Sequence, residues 1–118
     1  MSRKIEDLIP RMQAKCRAFT LLMDGEHLPF ILTCTKRTPE EQAALYAQGR
    51  TTPGKIVTWA QHSRHEDGEA FDIVILKNGK PDWSDLDSYR RAGILGESVG
   101  LVWGGRWKTP DYPHFQDS

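Results

Sequence analysis

The stretch Ser63-Arg64-His65-Glu66-Asp67-Gly68-Glu69-Ala70-Phe71-Asp72-Ile73-Val74-Ile75-Leu76 decides how the rest of the chain is read. From Ala70 to Leu76 both faces of a period-2 pattern are apolar: Ala70, Val74 and Leu76 on one, Phe71, Ile73 and Ile75 on the other. A strand of this kind is buried on both sides. Asp72 interrupts it, and a carboxylate there is unfavourable unless it is paired or bound to a metal. Three partners are open to it: an arginine, a helix N-terminus, or a metal ion. The strand alone favours a structural partner. His65 shifts that balance, because it precedes the strand in a glycine-containing turn and its imidazole can fold back toward Asp72.

Outward from this strand, Asn78-Gly79 signals a tight turn on one side. On the other, residues 51–67 are rich in turn-formers and broken only by Ile56-Val57, which predicts a long ordered loop of the kind that carries function. Before the loop, Thr38-Pro39-Glu40-Glu41 supplies an N-cap threonine, a proline at the first helical position and a glutamate at the third. That is a capping box, and it predicts a helix over 39–48 stopped by Gly49 in a left-handed conformation. Residues 30–34 read as a short strand. Ile5, Leu8, Ile9, Met12, Cys16 and Phe19 recur at helical spacing and predict a first amphipathic helix, its regular part starting near Ile9 because Pro10 fits only a first turn. Asp24-Gly25 ends it.

Downstream, Ser84-Asp85-Leu86-Asp87 opens a third helix that Gly100 closes, although its interior glycines, Gly93 and Gly96, weaken the pattern. Leu101-Val102-Trp103 reads as a short strand leading into Gly104-Gly105, a turn that lets the chain approach the site. Helices and strands are segregated, and tight turns join some of the strands. The expectation is an α+β fold with a small, mainly antiparallel sheet flanked by about three helices. With 118 residues, the chain is expected to form one domain over 1–118, with nothing left over for a separate second domain.

Composition narrows the function. Sixteen basic residues balance sixteen acidic ones, so nothing points to nucleic acid or an anionic membrane as partner. No apolar run follows the N-terminus as in a signal peptide, and none approaches the ~18 residues needed to span a bilayer. The expectation is synthesis in the cytoplasm without a leader. Cys16 and Cys34 are too few and too far apart for a cysteine zinc site and read as buried free thiols.

A third candidate ligand lies in Asp111-Tyr112-Pro113-His114-Phe115. Catalytic zinc takes three His or carboxylate ligands and leaves one position for water. His65, Asp72 and His114 would supply that set, with Asp111 nearby as a free carboxylate. Pro110 and Pro113 disfavour a helix, so the pair is expected on a turn entering a strand. His27 and His62 read as ordinary histidines, and Glu66, Asp67 and Glu69 as solvated loop charges. Trp59, Trp83, Trp103 and Trp107 read as core or groove wall.

Three motifs in order make the chain resemble a known family. Ser63-x-His65-x-x-Gly68-x-Ala70-x-Asp72, Trp103-Gly104-Gly105-x-Trp107 and Asp111-x-Pro113-His114-Phe115 are similar to those of the M15 zinc peptidases. That family holds D-alanyl-D-alanine carboxypeptidases, dipeptidases, and L-alanyl-D-glutamate endopeptidases of phages and bacilli. Arg37-Thr38-x-x-Glu41-Gln42-x-x-Leu45-Tyr46-Ala47-Gln48-Gly49-Arg50-Thr51 most resembles the endopeptidase branch, as does Pro53-Gly54-Lys55-Ile56-Val57-Thr58.

The resemblance implies a Hedgehog/DD-peptidase-like fold and one zinc ion on His65, Asp72 and His114. It implies Asp111 as the general base toward the attacking water and Arg37 as the group that meets the oxyanion. Ser63 and Arg50 are implied as substrate contacts. Lys36 departs from the family, which often has an aromatic residue there, and the segment before Asp111 is short. The expected function is hydrolysis of the peptidoglycan stem peptide at the L-Ala–D-Glu bond by a monomeric, phage endolysin-type enzyme that reaches the wall after release. Its rivals are a D,D-carboxypeptidase or dipeptidase and, in another class, a non-catalytic zinc-stabilised wall-binding module. Asp111 and Arg37 argue against the last, since a structural site needs neither.

Overall fold

Pro10 lacks the N–H that a first helical turn leaves unpaired, and it opens α1 (Pro10–Gly25) in the computed structural model, which describes residues 1–118. Met12, Cys16, Phe19 and Met23 follow at helical spacing and are all fully buried, which fixes the face that α1 turns inward. Strand β1 (Phe30–Cys34) comes next, and then α2 (Pro39–Ala47). The expected capping box of α2 is present: the Thr38 hydroxyl accepts from the Glu41 amide and the Glu41 carboxylate accepts from the Thr38 amide. Gly49 stops the helix at φ +80°.

The doubly apolar run forms β2 (Ala70–Lys77), and Asn78 and Gly79, both at positive φ, turn it into β3 (Lys80–Asp82). Asp85 caps α3 (Leu86–Ser98) through its carboxylate and the Ser88 amide. Strands β4 (Leu101–Trp103) and β5 (His114–Asp117) close the chain. The sheet order is β1-β2-β5-β4, with β3 continuing the β5 side of β2, and every pairing is antiparallel. This is the expected α+β fold, and β2, paired on both edges, is its centre.

The two faces of β2 meet different surroundings. Phe71, Ile73 and Ile75 join the core with α1 and with Tyr89 and Ala92 of α3. Phe19 sits at its centre, its ring 4.9 Å from Phe115 and 5.6 Å from Phe71. Tyr89 is buried with its hydroxyl satisfied, donating to the Asp82 carbonyl and accepting from the Ile75 amide. Gly93 and Gly96 do not break α3. A Cβ at Gly93 would stand 2.2 Å from the Trp103 ring, and one at Gly96 2.5 Å from Phe115. The glycines are seats for those rings. The other face of β2 carries Asp72 between the buried Ala70 and Val74, and the cleft opens at Asp72.

Both cysteines are buried and free. Of the tryptophans, Trp103 is core and Trp107 and Trp59 are walls of grooves. Trp83 departs from expectation: it is 58% exposed on the link between β3 and α3, and it lines neither core nor groove. No helix is long and apolar enough to cross a membrane.

Candidate active site

His65 is carried by a single 3-10 turn, Arg64–Asp67, with Gly68 at φ +70° turning the chain into β2. The Ser63 hydroxyl accepts from the His65 amide, and the Ser63 amide donates to the Glu66 carboxylate at 2.7 Å. Glu66 is therefore a capping group rather than a solvated charge. Ser63 and Glu66 stand three apart, the spacing of a capping box, so the signal was present in the sequence. The Arg37 amide donates to the His65 carbonyl, which ties the end of β1 to the same turn.

Three strands bring the remaining groups together. Cys34 of β1, Asp72 of β2 and His114 of β5 are register partners in one row across the sheet. His114 Nδ1 lies 3.0 Å from Asp72 Oδ1, and His65 Nε2 lies 3.1 Å from the same oxygen. The two rings meet edge to face with centroids 5.2 Å apart. One donor atom from each of the three side chains falls within 4.8 Å of the others.

The donors of this cluster fit a metal. Both nitrogens of the buried His65 ring lack a hydrogen-bond partner, since the approach of Nε2 to Asp72 has the distance but not the alignment of a bond. A buried ring with no bonded nitrogen is unfavourable, and a cation on Nε2 relieves it. Two imidazoles and one carboxylate are the ligand types that zinc takes in open, catalytic sites. His114 Nε2, 2.9 Å from the Gln116 amide oxygen, is oriented by a second partner while Nδ1 faces Asp72.

Charge follows this geometry. Burial alone would raise the Asp72 pKa, but the hydrogen bond to His114 and the close approach of His65 outweigh it and hold the carboxyl well below its usual range. Burial would likewise lower the His65 pKa, yet Asp72 and Cys34 push it up to about 9. Asp111 is shifted the other way. The cleft walls strip water from its carboxyl and the Asp72 charge faces it, which raises its pKa against the opposing pull of His114, His65 and Arg37.

Arg37, Ser63 and Asp111 line the same cleft of about 450 Å³ as the three candidate ligands. Asp111 is set there by Gly104. Its amide donates to the Gly104 carbonyl at 2.9 Å, and a Cβ on Gly104 would stand 2.5 Å from the Asp111 carbonyl and 3.2 Å from His114 Cβ. Arg50 lies elsewhere. Its guanidinium stacks on Tyr46 and donates to the carbonyls of Tyr46 and Thr58, outside the cleft lining.

Gln42 entered the sequence reading only as one residue of the Arg37–Thr51 motif, with no role of its own. Fully buried inside α2, it accepts from Arg37 Nη1 at 2.6 Å and donates to the Ala60 carbonyl at 2.6 Å. One amide thus holds both the arginine and the loop at Ala60, which lines the same cleft. Its place in the helix pattern gave no hint of this, because an interior glutamine is normally surface. His62 also lines the cleft, its two ring nitrogens each 2.9 Å from a carboxylate, those of Glu66 and Asp67.

A buried His-Asp-His cluster open to a cleft, with a free carboxylate and an arginine beside it, is the equipment of a metal-dependent hydrolase. Comparison with known proteins carries this further. Residues 57–117 match the family model described as D-alanyl-D-alanine carboxypeptidase. The chain is 31% identical over 128 residues to the peptidoglycan L-alanyl-D-glutamate endopeptidase CwlK of Bacillus subtilis (strain 168), covering 93% of this chain and 73% of that protein. The crystal structure of the Serratia marcescens L-Ala D-Glu endopeptidase ChiX matches with a TM-score of 0.77 and 25% identity, over 97% of this chain and 83% of that one. The chain belongs to the M15 peptidase family. Within it, it is homologous to the L-alanyl-D-glutamate endopeptidases.

Proposed function

We propose that the protein is a zinc-dependent peptidoglycan peptidase that hydrolyses the stem peptide between L-Ala and D-Glu. The observation that carries the reading is the convergence of His65, Asp72 and His114 on one point of a cleft that Asp111 and Arg37 also line. His65, Asp72 and His114 would hold the ion. Zinc, when bound, supplies Lewis-acid chemistry: it makes water a nucleophile near neutral pH and polarises a carbonyl.

The chain's own groups do the rest. Asp111, with its pKa raised, is suited to take a proton from the attacking water and hand it to the departing amine of D-Glu. Arg37, always charged, held by Gln42 through Nη1 and by Cys34 through Nη2, would meet the oxyanion with the N–H groups that remain on Nη1 and Nη2. Ser63 is spent partly on capping the His65 turn, so any contact it makes with substrate uses its remaining hydrogen-bonding capacity.

The choice of bond rests on CwlK and ChiX, both endopeptidases by name, and the family model's description supports a carboxypeptidase as the second reading. Mass spectrometry of digested peptidoglycan separates them. New peptides beginning at D-Glu support the endopeptidase, and free D-Ala overturns it in favour of the carboxypeptidase. The motif resemblance to phage enzymes extends the proposal to a lytic role. Clearing of membrane-permeabilised Gram-negative cells supports that role, and unchanged turbidity removes it.

A further inference from the structure

The cleft does not end at Asp111. A second groove of about 590 Å³ continues from it, and Val57, Thr58, Ala60, Trp107 and Asp111 line both. Beyond the shared residues, its walls are Trp59, Lys108, Thr109 and Pro110. We propose that this groove between Trp59 and Trp107 is a subsite for the amino sugar that carries the stem peptide, a proposal that rests on the stem-peptide reading above.

The first argument is the state of the two indoles. Tryptophan is mostly buried on average, yet Trp59 is 71% exposed and Trp107 38%, and the exposed Val57 lines the same groove. Apolar surface gathered along a groove marks a binding site more often than scattered residues do. Nor is Trp59 a loose loop tip. The Arg50 guanidinium lies 3.9 Å from the Tyr46 centroid and 5.6 Å from that of Trp59, and it donates to the Tyr46 and Thr58 carbonyls on either side. Arg50 therefore clamps the loop to α2 and stands beside the indole, which stays largely open. Its place in the protein is to present Trp59.

The second argument is chemical. A pyranose ring has an apolar face of C–H groups and a polar rim. It suits a flat aromatic wall with a few hydroxyls beside it, here Thr58 and Thr109. The peptide on the other side of the scissile bond carries the free carboxylates of D-Glu and the residues after it. Arg37 and Arg64 line the cleft and not the groove, where Lys108 is the one cation. The two arginines beside the cluster suit the acidic leaving peptide, and the indoles of the groove suit the sugar.

The third argument is reach. One alanine and one lactyl ether separate the scissile carbonyl from the sugar, about 7 Å at roughly 3.5 Å per residue. The Trp107 ring stands 5.1 Å from that of His114, so this wall is within reach of the sugar of a substrate held at the cluster.

The test compares kcat/KM of the zinc-loaded protein on a disaccharide-tetrapeptide and on the same tetrapeptide with its L-Ala simply N-acetylated. The wild type is expected to prefer the sugar-bearing substrate by about tenfold, the worth of one good aromatic contact. Trp59→Ala is expected to bring that ratio close to one, while Trp83→Ala, an exposed tryptophan away from the groove, keeps it. A wild-type ratio near one, or an equal loss on both substrates in Trp59→Ala, overturns the subsite. If neither substrate is hydrolysed, the stem-peptide reading has failed instead. The subsite is then judged alone by NMR titration with the disaccharide bearing L-Ala: binding lost in Trp59→Ala supports it, and no binding by the wild type overturns it.

Discussion

His114 stands directly opposite Asp72 across the β2–β5 ladder, with its Nδ1 3.0 Å from Asp72 Oδ1. Antiparallel pairing therefore places two candidate ligands by backbone geometry alone, and only His65 depends on a turn. Loss of either strand residue should remove metal binding. In differential scanning fluorimetry, zinc at 100 times its Kd should stabilise the wild type by about 2.7 kcal/mol. Asp72→Ala and His114→Ala should show no zinc-dependent rise in Tm.

Asp111 is set apart from the ligands by its role and not by its distance along the chain. Asp111→Asn should keep one zinc per chain by metal analysis and lose about 10²–10⁴ in kcat, the usual worth of a general base. Full activity in this variant would remove Asp111 from that role.

Gln42 joins Arg37 to the Ala60 carbonyl from a position with no exposure. Gln42→Leu should lower kcat more than it raises KM, because Arg37 loses its orientation toward a group that forms only during the reaction. It should also lower stability by about 1–3 kcal/mol, the effect of leaving a buried polar group unpaired. Steady-state kinetics and urea unfolding on the same sample check both.

Gly104 is required by close approach. Gly104→Ala should displace the Asp111 carbonyl and cost about 1–3 kcal/mol through overpacking. Zinc affinity, measured by competition with a chelator, should fall with it because His114 is the other neighbour.

The acid limit of stability is predicted from Asp117. It is buried, and it accepts from Arg11 and Lys15 of α1, with the Arg11 bond the larger cause of a pKa lowered from 3.8 to about 2. A depressed carboxylate stabilises the fold above its unfolded pKa, and that contribution is lost as pH falls through about 2. Asp117→Asn should lower the urea midpoint at pH 5 and leave it nearly unchanged at pH 2.

Much of this was legible in the sequence because it is local. The Thr38 capping box, the Asn78-Gly79 turn and the doubly apolar β2 each announce themselves within a few residues. The His-Asp-His set was legible through the three motifs that carry the family resemblance, with Asp72 marked besides as a carboxylate in an apolar strand that requires a partner. What was hidden depends on packing between distant segments. Gly93 and Gly96 look like helix breakers until Trp103 and Phe115 are seen resting on them. The exposure of Trp59 and Trp83 runs against the average for tryptophan, and Gln42 has no pattern that reveals its burial. The insertion of β5 between β2 and β4, which completes the site, is a long-range pairing that no local signal encodes.

The most direct test is hydrolysis of purified peptidoglycan by chelator-stripped protein as zinc is added back in measured equivalents. The rate should rise linearly and break at one zinc per chain, and Asp72→Ala should stay flat throughout. Full activity in the stripped protein, or an Asp72→Ala curve that follows the wild type, would contradict a catalytic metal on His65, Asp72 and His114.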